Sequence, residues 1–211
     1  MDSAESRLRL TAPVFGLGSP KEELARLANY LHAADCSYVF SESFPSFCSG
    51  KFGDDTKVAL ITCNELGSLE IPSSLTTLPN LHIITPRSAP ESTGLNIHRY
   101  GIGPPNQNET ADGKWKLNTL GAIMTRLFGE SVIDLLLIDM NGGEVAIYPE
   151  LLRIASQGKI KQLAIRGHVW SEENENFRSI YWNLRQMQNY GYSRRFGRVD
   201  LPRYDVVFER K

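Results

Sequence analysis

Residues 114–170 constrain the fold of this chain more than any other stretch. They read as an amphipathic helix, then an apolar strand, Ile133-Asp134-Leu135-Leu136-Leu137-Ile138-Asp139, which ends in an acid and is soon followed by Gly142-Gly143. A second helix and a second apolar strand follow, the latter ending near His168 and Trp170. Strand–helix alternation implies a parallel sheet with right-handed crossovers. The stretch therefore reads as the later half of a doubly wound α/β sheet, a fold that binds ligands at the carboxyl ends of its strands.

The remaining segments extend this pattern. Residues 1–18, broken by Pro13, Gly16 and Gly18, read as a flexible extension, and 19–211 as a single domain. Ser19-Pro20-Lys21-Glu22 has the composition of a helix start, and Leu24, Leu27, Ala28 and Leu31 form one stripe, so a helix should run to about Ala34. Residues 35–56 carry serines and glycines among aromatics and read as a long irregular segment held by Phe40, Phe44 and Phe47. Val58–Cys63, Leu81–Thr85 and Asn96–Ile102 read as strands, and Leu66–Leu78 as a helix interrupted by Pro72. A polar loop follows over 103–114, then a helix over Leu117–Phe128 and a strand over Val132–Asp139. The next helix should run to about Ser156 with Pro149 in its first turn, followed by a strand over Ile160–His168. Glu172–Tyr190 reads as the longest helix, and Ser193–Val199 with Tyr204–Glu209 as a closing antiparallel pair. The sum is a Rossmann-like, doubly wound, mostly parallel seven-stranded sheet with a C-terminal antiparallel strand pair. Class I methyltransferases have this architecture, and other doubly wound proteins share much of it.

Composition narrows the function. Apolar residues make up 41% of the chain, enough for a sizeable core. With 23 basic and 24 acidic residues the net charge is −1, which gives no electrostatic case for nucleic acid or an anionic membrane. No apolar run is long enough for a transmembrane helix. Cys36, Cys48 and Cys63 lack CxxC spacing and histidine partners, so no zinc site is expected. Their odd number leaves at least one thiol unpaired, which favours a reducing compartment; a Cys36–Cys48 pair stays open. The N-terminus has acids where a secretion signal carries bases, so the expected location is cytoplasmic or nuclear. On that footing Asn108-Glu109-Thr110 reads as a chance glycosylation sequon in a polar loop. There is no GxSxG elbow, GxGxxG turn or P-loop.

The order of segments is more specific. Lys114–Gly121 (KWKLNTLG) followed by Ile133–Glu144 (IDLLLIDMNGGE) resembles the methyltransferase-like domain family related to the FkbM methyltransferases. That family has a TLG helix start and a strand ending D-I-E-G-[SA]-E. Gln162–Trp170 (QLAIRGHVW) is similar to its next strand, Q-L-x-x-E-x-H-x-W. The resemblance spans 24–209 and is strongest over 114–190. It implies a class I fold that uses S-adenosylmethionine, with an acid at the cofactor ribose. Carried onto this chain, it implies cofactor contacts from Thr62, Asn64, Gly67, Thr85, Asp139, Asn141 and Gly142. If the chain is active, it implies catalytic roles for Asp139 and for His168, the latter as general base.

The departures from that pattern fall on the cofactor positions. The turn after the first strand is Cys63-Asn64-Glu65-Leu66, with the first glycine only at Gly67. The second strand ends Thr85-Pro86-Arg87 instead of in an acid, and Asn141 and Arg166 stand where the family has glutamates. Losing two hydrogen bonds to charged groups costs ~3–6 kcal/mol, a loss in affinity of roughly 100-fold or more. The favoured expectation is a degenerate, protein-binding pseudoenzyme; an active methyltransferase is the alternative. A weaker alternative, a nucleic-acid module, would use Arg194, Arg195 and Arg198, although arginines there also guard an edge strand. Asp139 could equally satisfy turn donors, whereas for His168 and Asn64 the favoured readings are a packed edge residue and an ordinary turn residue.

Overall fold

The apolar runs form the strands that their composition dictates, and the polar breaks decide where each one ends. The computed structural model describes residues 18–50, 52–88, 94–169, 171 and 173–211. The expected N-terminal extension, apart from Gly18, and Trp170 lie outside the described residues. The first half of the chain forms α1 (Pro20–Leu31), β1 (Ala33–Ala34), β2 (Tyr38–Val39), β3 (Phe47–Cys48) and β4 (Val58–Thr62). Next come α2 (Ser73–Thr76), β5 (Leu81–Ile84), β6 (Asn96–His98), β7 (Gly101–Ile102) and β8 (Leu117–Asn118). The second half forms α3 (Leu120–Phe128), β9 (Ile133–Asp139), α4 (Glu144–Ser156), β10 (Ile160–His168), α5 (Asn174–Asn189), β11 (Tyr192–Asp200) and β12 (Arg203–Arg210).

The main sheet has the order β1-β11-β12-β10-β9-β4-β5-β6. β6, β5, β4, β9 and β10 are parallel, and β12 is antiparallel to β10. β11 is antiparallel to β12, and the two-residue β1 adds an eighth, antiparallel edge. Without that edge, the strands run 3-2-1-4-5-7-6 in chain order, a Rossmann-like, methyltransferase-like arrangement with an antiparallel finish. Strand order reverses between β4 and β9, which makes that crevice the topological switch point.

The two faces of the sheet are covered differently. On one face Ile61, Leu136, Ile138, Ile165 and Phe208 pack against α1, α3, α4 and α5 through Leu27, Leu31, Ile123, Leu151, Phe177 and Leu184. On the other, Leu60, Leu135, Leu137, Ala164 and Val207 meet Phe44, Phe47, Leu75 and Leu78. The longer helices thus lie on one side, and segments with little regular structure cover the other.

Several boundaries differ from the sequence reading for identifiable reasons. The 35–56 segment is not merely irregular: it holds the β2–β3 hairpin, closed by a Cys36–Cys48 disulfide. Phe44 and Phe47 are fully buried as expected, whereas Phe40 is 42% exposed. α1 stops at Leu31, its start fixed by the Ser19–Glu22 capping box. Pro72 divides Leu66–Leu78 into a 3₁₀ turn at Leu66–Ser68 and the one-turn α2. Asn96–Ile102 is two strands: β6 pairs with β5, and β7 leaves to pair with β8. That pairing claims Leu117 and Asn118, so α3 begins later than the apolar stripe, with Thr119 as its N-cap accepting from the Ala122 N–H. α4 begins at Glu144, which puts Pro149 beyond the first turn, inside the helix.

The sheet leaves no room for a side chain at Gly167. Gly167 in β10 faces Tyr204 in β12, and a Cβ there would lie 2.0 Å from the Tyr204 ring. The hydroxyl of that buried ring pairs with Tyr148 Oη at 2.5 Å, tying α4 to the sheet.

The disulfide closes a loop with a sequence separation of 12. Loop-closure entropy assigns it about 3 kcal/mol. Cys36→Ser together with Cys48→Ser should lower the unfolding free energy by that amount, as read from denaturant curves, and treatment with a dithiol should have the same effect on the wild type only. Unchanged unfolding in both cases would show that the hairpin does not need its staple.

Candidate functional site

At the carboxyl ends of the central strands, register places four polar side chains abreast. Thr62 on β4 pairs with Asp139 on β9, Asp139 with Arg166 on β10, and Arg166 with Asp205 on β12. All four are buried, Thr62 at 1% exposure and Asp205 at 4%. They continue the face that Leu60, Leu137, Ala164 and Val207 form below them, since strand residues two apart share a face.

Arg166 dominates this row. Its Nε donates to Asp205 Oδ1 at 3.0 Å and its Nη2 to Asp205 Oδ2 at 3.2 Å, a bidentate pair. Nη1 donates to the Glu42 carbonyl and Nη2 to the Ser41 carbonyl, both at 2.8 Å. Arg203 adds a bond to the Glu42 carbonyl at 2.9 Å, and Ser46 Oγ donates to Asp205 Oδ2 at 3.3 Å. The 41–46 segment is thereby fixed across the edge of the sheet. Burying a charged pair is favourable only when the remaining donors and acceptors are also met, and here every guanidinium nitrogen has a partner.

Asp139 sits beside this pair. Its Oδ2 accepts from Asn64 Nδ2 at 2.9 Å, which ties the turn after β4 to the end of β9. Its Oδ1 is buried and meets no donor in hydrogen-bonding geometry among the described residues. Burial pushes its pKa up to about 6, against the opposing pull of Arg166 and of the nearby Asn141 N–H. Asp139 thus titrates close to neutrality.

The turn that follows is built for a tight reversal. Asn141 and Gly142 both have positive φ, 52° and 97°, a region that asparagine and glycine tolerate best. Glu144, fully buried at the start of α4, accepts from the Gly142 N–H at 2.9 Å and the His168 N–H at 2.6 Å. It clamps the β9–α4 turn to the end of β10. Burial raises its pKa, and those N–H donors oppose the rise. Burial, with Arg203 and Arg166 nearby, lowers the pKa of His168, so its ring is neutral at neutral pH.

Asn64, Asp139, Arg166 and His168 therefore meet in one cleft, bordered by Glu42 and Arg203, with a volume of about 200 Å³. The other expected site residues do not join them. Thr62 Oγ1 accepts from the Asn64 N–H at 3.0 Å and only shapes the turn. Thr85 is fully buried and its Oγ1 accepts from the Arg87 N–H at 3.1 Å. Gly67 lies in the exposed 3₁₀ turn, where a Cβ would meet nothing within 4 Å, so no close approach of the chain itself requires a glycine there. Asn141 and Gly142 form the turn, and neither borders the cleft.

These residues do not fit S-adenosylmethionine. No glycine lets a ligand approach the turn after β4. The end of β5 offers a threonine hydroxyl already bonded to its own backbone in place of an acid. Arg87 reaches back to the Cys63 carbonyl at 3.0 Å and lies 5.1 Å from the Trp115 ring centroid, so a cation stands where the ribose hydroxyls would need an acceptor. The cleft is also smaller than the ~300 Å³ at which ligand pockets usually begin.

The sequence signalled Arg166 only as a departure and gave no role to Asp205, Arg203 or Glu144. The available signal was a charge interrupting each of two apolar strands, Ala164-Ile165-Arg166 and Asp205-Val206-Val207, together with the acid after Gly142-Gly143. The basic cluster is internally engaged: Arg194 lies over Tyr30, Arg195 pairs with Glu209, and Arg198 pairs with Asp200 and lies over Phe40.

No protein-family model matches the chain, and no curated protein matches it. Among solved structures it is similar to the Methanococcus jannaschii fibrillarin pre-rRNA processing protein, with a TM-score of 0.44 and 11% identity over 78% of this chain and 71% of that one. At that distance the likeness adds nothing to what the strand order already establishes.

Removing one partner of a buried pair leaves the other charge uncompensated, at about 3–5 kcal/mol. Arg166→Met should cost that much in urea unfolding, and Arg166→Met with Asp205→Leu should recover most of it. A double variant as unstable as the single would contradict the pairing energetics.

Asp139 gives a pH signature of definite sign. Its folded pKa, about 6, lies above the unfolded value of about 4, so the folded state holds the extra proton between them. Its contribution to stability is complete below pH ~4 and is lost as pH rises through about 6, by roughly 3 kcal/mol. Asp139→Asn should therefore gain stability on the wild type at pH 7 and lose that gain at pH 4, as read from denaturant midpoints at both pH values.

Proposed function

We propose that this chain is a methyltransferase-like domain that has lost S-adenosylmethionine chemistry and serves as a protein-binding or scaffolding domain. The observation that carries the reading is the Arg166 guanidinium at the carboxyl edge of the sheet, where it pairs with Asp205 and holds the 41–46 segment down. A methyl-donor site needs an open crevice and an acid for the ribose. This edge has an arginine, a closed cover and a threonine already bonded to the chain. The cover also presents aromatic surface: Tyr38 and Phe40 are 47% and 42% exposed, braced by Phe196 and Arg198. Rigid, half-exposed aromatics of this kind suit a protein partner.

Calorimetric titration with S-adenosylmethionine and with S-adenosylhomocysteine tests the loss of cofactor chemistry. The expected result is no saturable heat up to millimolar ligand. Low-micromolar binding of either would overturn the reading.

A second reading, an active methyltransferase with a divergent cofactor loop, is favoured by one observation. Asp139 Oδ1 is buried, with no donor in hydrogen-bonding geometry among the described residues, in the same cleft as the neutral imidazole of His168. On this reading Asp139 orients the acceptor and His168 takes its proton. Methyl transfer to an O or N acceptor that is abolished by Asp139→Ala and by His168→Ala would establish it; transfer unaffected by both changes would remove these roles.

A further inference from the structure

We propose that Asn108 carries an N-linked glycan and that this domain folds in the oxidising lumen of a secretory compartment. Two independent observations converge on it. The first is the Cys36–Cys48 disulfide, which closes the cover hairpin. Structural disulfides persist in oxidising compartments and are rare where glutathione keeps thiols reduced. The odd cysteine count pointed to a reducing compartment through its one unpaired thiol, which is Cys63, while the pair it left open is formed.

The second is the sequon itself. Asn108-Glu109-Thr110 is the sole N-x-[ST] sequence in the chain. It reads as chance coincidence only if the domain never meets a glycosylating lumen, and the disulfide removes that premise. The fold places it where a glycan can be carried. Asn108 and its neighbours from Pro104 to Glu109 are exposed. Main-chain bonds order the loop without using the carboxamide: the Leu117 N–H donates to the Asn108 carbonyl at 2.8 Å, and the Thr110 N–H donates to the Trp115 carbonyl at 3.0 Å. Bulky, solubilising modification belongs on such a surface loop.

The remaining cysteine is compatible with an oxidising lumen. Cys63 is partly buried at the end of β4, and burial beside Asp139 pushes its thiol pKa up to about 11. The thiolate is the reactive form, so Cys63 stays protonated and does not scramble the disulfide.

The modification is a displacement. Asn108 Nδ2 bonds to the anomeric carbon of a polyprenyl-diphosphate-linked oligosaccharide as that carbon's bond to the diphosphate oxygen breaks. Polyprenyl diphosphate departs with the electron pair, and Nδ2 gives up one proton. The lumenal glycosyltransferase supplies the donor and the base.

The test uses the full-length native protein from its own cells. Its intact mass is measured before and after treatment with a peptide N-glycosidase, its thiols are alkylated in denaturant at alkaline pH without reduction, and the peptide spanning Asn108 is sequenced. The expected result is a loss of glycan mass, conversion of Asn108 to aspartate in the treated peptide, and alkylation of Cys63 alone. Asn108→Gln and Thr110→Ala should each abolish the mass loss, while Asn106→Gln leaves it unchanged. An unmodified Asn108 in protein with an intact Cys36–Cys48 bond would overturn the glycosylation. Alkylation of Cys36 and Cys48 in the unreduced protein would overturn the compartment.

Discussion

The side chain of Arg166 lies at the junction of the sheet, its cover and its candidate site, and the arrangement around it depends on how its charge is met. A guanidinium this deeply buried would be strongly destabilising alone. Asp205 on the neighbouring strand neutralises it bidentately, and two main-chain carbonyls from Ser41 and Glu42 satisfy its outer nitrogens. Pairs of this kind add little net stability compared with an apolar pair, but they penalise every arrangement in which a partner is missing. Here that penalty falls on any displacement of the 41–46 segment, so the pair fixes the position of a cover with little regular structure of its own.

The site follows from that constraint. In a doubly wound sheet the carboxyl edge is open because the loops there are free to receive a ligand. In this chain the edge is held shut from the β10–β12 side by Arg166 and Arg203, and bridged on the β4–β5 side by Arg87 and its contact with Trp115. What remains between them is a small polar cleft with Asp139, Asn64 and His168. The doubly wound sheet is complete, and the segments at its carboxyl edge occupy most of the space beside the switch point. The central strands and their helices form the core, and the polar groups collect at the edge.

Much of this fold was legible in the sequence. β4, β5, β9 and β10 are short apolar runs with polar ends, and α5 has a clear stripe, so periodicity and punctuation locate them within a few residues. The break between β6 and β7 was not legible. Asn96–Ile102 reads as one strand, and only the pairing of β7 with β8 shows why it divides. The cover was illegible for the same reason: Phe44, Phe47 and the disulfide give it order through partners far along the chain, and Arg166 lies 124 residues from the carbonyl it holds at Glu42. In the site, Asp139, Asn64 and His168 are brought together because strand ends are predictable. Thr85 and Gly67 lie outside that cleft, on the turns after β5 and β4. Glu144 was visible as the acid of the motif, but its buried clamp on Gly142 and His168 depends on the close approach of two strand ends.

The most direct test of the central claim is amide hydrogen exchange resolved along the chain, comparing the wild type with Arg166→Met under conditions where both are folded. If Arg166 holds the cover, exchange should rise selectively over Ser41–Cys48, with β4, β9 and β10 as protected as before. Exchange over Ser41–Cys48 that is unchanged, or that rises equally across the whole sheet, would contradict the account.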